Sequence, residues 1–67
     1  MMELFVNAEP VQVPAHCTIA TLLARLGKDA GKLAVERNEA VIPRAEHSST
    51  LLSAGDRIEI VTLVGGG

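Results

Sequence analysis

The stretch TIATLLARLG, Thr18–Gly27, decides the fold. Ile19, Leu22, Leu23 and Leu26 recur at helical spacing and form one apolar stripe. Thr18 stands where a side-chain oxygen can cap the first turn. Gly27 stands where the chain must leave the helix in the left-handed region. A helix with a single apolar stripe needs one apolar surface to cover, so the flanks decide what it covers.

Both flanks read as strands. Upstream, MELFVN (residues 2 to 7) alternates, with Met2, Leu4 and Val6 on one side and Glu3, Phe5 and Asn7 on the other. NAEP reads as a turn, Val11 and Val13 resume the alternation, and Pro14 ends the hairpin. Downstream, KDAGK is a polar connection and LAVER (residues 33 to 37) is a strand. Asn38 and Glu39 make a tight turn into a short strand at Val41 and Ile42, stopped by Pro43. PRAEHSST reads as a polar surface segment with at most one helical turn. Ala54, Gly55 and Asp56 turn the chain into a last strand from Arg57 to about Val64, with Ile58 and Ile60 facing inward.

The order β-β-α-β-β-β predicts an α+β domain, with the helix laid across one face of a single mixed sheet. That is the β-grasp arrangement, in which the first and last strands lie side by side in the middle. Residues 1–64 form the expected domain and residues 65–67 a flexible glycine tail.

Composition narrows the function classes. With 67 residues there is room for one domain. Its 48% hydrophobic content is mostly aliphatic, with one Phe and no Trp or Tyr, so platforms for stacking nucleic-acid bases are missing. The net charge is −2, and the six Lys and Arg residues are scattered. That pattern argues against nucleic acid and anionic lipid as partners. One cysteine, Cys17, cannot form an internal disulfide, and MMELFV has no basic leader character. No apolar run suits a membrane span. A cytoplasmic protein is expected.

Catalytic constellations are sparse. GKDAGKL (Gly27–Leu33) has three residues between its glycines where a phosphate loop has four, lacks Ser or Thr after Lys32, and follows a helix where the motif opens one. Cys17 precedes the helix and His16 precedes Cys17, but sequence neighbours rarely reach the geometry of a nucleophile and its base. His16, Cys17 and His47 give no metal-ligand spacing, so no metal is expected. Glu36, Glu39, Glu46, Asp56 and Glu59 read as a solvated surface. No enzyme acting alone is visible.

Two features point instead to a carrier. Alternation places Phe5 and Val61 on the face that the helix leaves open, where they would form an apolar patch beside the tail. Leu63 and Val64 extend that partner-binding surface to the glycines. Gly65, Gly66 and Gly67 lack Cβ atoms and can thread a narrow channel, presenting a carboxylate to another enzyme.

The segments NEAVIPR (Asn38–Arg44), AGDRIEIV (Ala54–Val61) and the final Gly66–Gly67, together with TIATLLARL, resemble the ThiS family of sulfur carriers for the thiazole of thiamine. That family is ubiquitin-like. The resemblance implies no bound cofactor. It implies adenylation of the Gly67 carboxylate by a ThiF-like, ATP-dependent enzyme. Conversion to a thiocarboxylate would follow, with sulfur from a cysteine desulfurase relay, and then transfer to a ThiG-like thiazole synthase. Other readings stay open: a MoaD-like carrier for molybdopterin, a ubiquitin-like protein modifier, and an interaction domain without tail chemistry. Val41-Ile42-Pro43-Arg44 favours the thiazole pathway over the MoaD-like reading.

Overall fold

In the structure, a computed structural model, residues 1–63 are described. Val64 and the glycine tail lie outside the described residues. Strands β1 (Met2–Val6) and β2 (Glu9–Val13) form an antiparallel hairpin. Helix α1 spans Ile19–Arg25. Strands β3 (Leu33–Arg37) and β4 (Ala40–Ile42) form a second hairpin, and β5 runs Arg57–Thr62. The sheet order is β2-β1-β5-β3-β4, with β5 parallel to β1 and antiparallel to β3. This is the β-grasp fold, one mixed sheet with a single α-helix, and its first and last strands are neighbours as expected.

The helix forms where its sequence directs. Thr18 Oγ1 accepts the Thr21 N–H at 3.1 Å, and Gly27 closes the helix with φ +69°. Ile19, Leu22 and Leu23 are buried against Leu4, Val13, Val35 and Ile58 in one aliphatic core. Each such burial stabilises the fold by about 1.5–3 kcal/mol, before the entropy of ordering is set against it.

Four details depart from the sequence reading. The first hairpin turns on two residues, Asn7 (φ +49°) and Ala8 (φ +69°), so Pro10 sits inside β2 and not in the turn. An edge strand can carry a proline because one row of its amides needs no partner. Second, the segment after β4 is not wholly surface. It forms a 3-10 turn at Arg44–Glu46, and then His47 is only 4% exposed. Third, Leu52 joins the core, because Ile19 N–H bonds Thr50 C=O and Leu52 N–H bonds Cys17 C=O. Fourth, Asp56 leaves the group of solvated acids and is 7% exposed.

Candidate docking face and tail root

β5 carries the end of the chain outward, so the site is built from what holds β5. On one flank, Phe5 N–H bonds Asp56 C=O at 2.9 Å and Asn7 N–H bonds Ile58 C=O at 2.8 Å. There β1 turns away. The Asn7 side chain continues the ladder: its Nδ2 donates to Ile60 C=O at 3.2 Å and its Oδ1 accepts Ile60 N–H at 2.8 Å. A carboxamide matches a peptide group donor for acceptor. On the other flank, Leu63 N–H bonds Lys32 C=O at 2.9 Å, one residue past β5.

The opposite end of β5 is fixed by a second asparagine turn. Asn38 (φ +49°) and Glu39 (φ +73°) link β3 to β4. Asn38 Oδ1 accepts Arg57 N–H at 2.9 Å and its Nδ2 donates to Asp56 Oδ1 at 3.1 Å. Asp56 also receives Ser53 N–H and Arg37 Nε, each at 2.8 Å. Burial alone would raise the Asp56 carboxyl. The bonds from Ser53, Asn38 and Arg37, with the Arg37 charge, outweigh it and hold the group below the usual carboxylate range.

The face of the sheet away from α1 holds the residues proposed for docking. Val61 is 51% exposed and pairs with Ala34, and Leu63 is 55% exposed. Val41, 67% exposed, pairs with Glu36 on the same face. Phe5 does not join them. It is half-buried and stands opposite Arg57, four residues before Val61 on β5. Four residues of strand is roughly 13 Å. The expected Phe5–Val61 patch is therefore not contiguous, because the parallel register sets Phe5 at the start of β5 and Val61 near its end. Ala34 takes its place beside Val61, and Val41 lies one strand further out, against Glu36. The sequence held a signal for Ala34: inward Leu33 and Val35 turn it outward. The role of Asn7 had none beyond its place in a turn.

Cys17 and His16 are not a pair. Cys17 is 2% exposed within the core, whereas His16 lies in an exposed turn with φ +64°. Burial pushes the Cys17 thiol up, with Arg25 acting weakly against it. That is the reverse of an activated nucleophile. The buried His47 ring approaches Ile42 C=O through Nε2 at 3.1 Å. A carbonyl only accepts, so Nε2 carries a proton. Among the described residues, His47 Nδ1 has no partner and no three His, Cys, Asp or Glu side chains converge as metal ligands. Among them, too, no helix is long and apolar enough to cross a membrane. Gly65, Gly66, Gly67 and Val64 lie outside the described residues.

The chain is similar to known proteins in sequence and in fold. The ThiS family model matches residues 3–67. A protein of Paramagnetospirillum magneticum named thiazole synthase is 39% identical over 66 residues, which are 98% of this chain and 20% of that protein. A thiazole synthase of Magnetococcus marinus is 41% identical over 66 residues, with the same coverage of 98% and 20%. The chain thus spans about a fifth of the length of these relatives. The crystal structure of a thiamine biosynthesis protein (ThiS) from Geobacter metallireducens superposes with a TM-score of 0.84 at 33% identity, covering 98% of this chain and 100% of that one. With sequence and fold matched from end to end, the chain belongs to the ThiS family.

Proposed function

We propose that this protein carries sulfur for the thiazole of thiamine, as a thiocarboxylate on Gly67. The observation that carries the reading is the anchoring of β5. It lies mid-sheet, held by Asn7 on one flank and by β3 and Lys32 on the other, up to Leu63. Four residues separate that anchor from the final carboxylate. Extended chain of that length reaches about 14 Å at most. A partner docked on Val61, Leu63, Ala34 and Val41 would receive the glycines in a channel at the end of the sheet.

The chemistry belongs to partners. A free carboxylate resists nucleophiles. A ThiF-like enzyme would transfer the adenylyl group of ATP to a Gly67 carboxylate oxygen, releasing pyrophosphate. A persulfide loaded through a cysteine desulfurase would attack the carbonyl carbon with its outer sulfur and AMP would leave with the oxygen; a thiol would then cleave the resulting acyl disulfide, leaving the thiocarboxylate and a disulfide. A ThiG-like thiazole synthase would then draw the sulfur from the thiocarboxylate. The reading places the carrier in the cytoplasm, beside ATP, with no cofactor of its own.

Intact and tandem mass spectrometry tests this. The protein is incubated with ATP, a ThiF-like enzyme competent on another carrier, and a sulfur source. Replacement of one oxygen by sulfur, localised to Gly67, is the expected result. An unmodified Gly67 sinks the proposal. Localisation is needed because oxidation of Met1, Met2 or Cys17 changes the mass almost equally.

A further inference from the structure

The six Lys and Arg residues look scattered in the sequence, but the fold gathers three of them around the tail root. Lys32 supplies the carbonyl that holds Leu63. Lys28 and Arg44 line one cleft of about 270 Å³ between α1 and the turn at Arg44–Glu46. Leu23, Ala24 and His47 also line that cleft. The Arg44 guanidinium reaches across to the other 3-10 turn, Ala30–Lys32, where its Nη1 would stand 3.4 Å from a Cβ built on Gly31. All three cations are exposed, and among the described residues none has a carboxylate within 4.0 Å. The Asp29 carboxylate stands against the same turn, its Oδ1 3.3 Å from that Cβ position and accepting Gly31 N–H at 2.9 Å. A chain of net charge −2 thus groups Lys28 and Arg44 on one cleft, with Lys32 at the turn that holds Leu63 and Asp29 beside them.

We infer that Lys28, Lys32 and Arg44 form a docking collar for an acidic protein surface around the mouth of the channel that takes the tail, with one partner carboxylate seated between Lys28 and Arg44. The inference rests on the carrier reading, since it is the tail that brings a partner to this end. Charge complementarity sets the occupant: unpaired exposed cations around a reactive arm speed encounter and fix its register. GKDAGKL thus makes no phosphate loop, yet it contributes Lys28 and Lys32 to an anion-seeking surface.

The test is binding of the full chain to the thiazole synthase of the same organism, by titration calorimetry at low and high salt. The variants are the Lys28→Glu/Arg44→Glu pair, Arg57→Glu at the opposite end of β5, and a deletion of Gly66–Gly67. The pair should weaken binding roughly tenfold or more at low salt and flatten its salt dependence. Arg57→Glu should stay near wild type. Unfolding curves should be unchanged for the pair, because both side chains are exposed. The collar is overturned if the pair binds like wild type, if Arg57→Glu is equally damaging, or if wild type does not bind. It is also overturned if inorganic phosphate saturates Lys28 and Arg44 amide shifts and competes with the synthase, which would make the cleft a small-anion site. Failure of the carrier reading is separate: Gly67 stays unmodified in the mass-spectrometric assay whatever the collar does.

Discussion

Asp56 concentrates more polar bonding than any other side chain described, and it decides how stability responds to acid. Its carboxylate takes bonds from Ser53, Asn38 and Arg37. Its folded pKa therefore lies below that of the unfolded chain, which is about 4. The stability it supplies is fully present above that pH and is lost as pH falls through the lower folded value. Asp56→Asn should cost about 2 kcal/mol at neutral pH. The gap from wild type should begin to narrow below about pH 4, where the unfolded chain takes up the proton, and close as pH falls through the lower folded value. Urea midpoints at pH 7 and pH 3 check this, and a gap independent of pH would contradict it. Asn7 makes a parallel case through shape. Asn7→Ala removes both bonds to Ile60 and leaves a residue with Cβ at φ +49°. A loss of about 1–3 kcal/mol is expected. Faster hydrogen exchange at Ile60, with Ile58 little changed, would place that loss at the end of β5.

Among the elements, α1 has seven residues and could not persist alone in water. It exists because Ile19, Leu22 and Leu23 bury against the sheet. Leu23→Ala should cost about 2–5 kcal/mol, a large part of a small domain's stability. An unchanged urea transition would mean that Leu23 is not a core residue. This helix and all five strands were legible in the sequence because each is short, capped or broken by Gly, Pro or Asn, and apolar on one face. Periodicity reports the face that is buried. It does not report register, so the neighbours of Phe5 and Val61 came out differently. It is equally silent on single polar side chains drawn inward by distant partners. Asp56 answers to Arg37 and Asn38, and His47 to Ile42, and none of those links repeats along the chain. Cys17 was hidden for a similar reason: the bonds to Thr50 and Leu52 that bury its loop come from a segment about thirty residues away.

For the whole molecule, the carrier reading puts stability and function in different parts of the chain. On β5 the buried side chains are Ile58 and Ile60, and the residues from Val61 to Leu63 are exposed. The last described backbone bond, Leu63 to Lys32, precedes the glycines. A chain arranged this way can present its end to a partner without drawing on its core. Removing Gly66 and Gly67 should therefore shift unfolding free energy by no more than about 0.5 kcal/mol, the range of surface changes. The same truncation should abolish thiocarboxylate formation, since the new terminal carboxylate, on Gly65, has an arm shorter by up to about 7 Å. Blocking the carboxylate with a C-terminal extension should be as damaging to sulfur transfer and as harmless to folding. Urea unfolding of the truncated and extended chains, beside an assay of thiazole formation, reads both consequences at once. A marked fall in the unfolding midpoint would tie the tail to the core. Retained thiazole formation would move the reactive group away from Gly67 altogether.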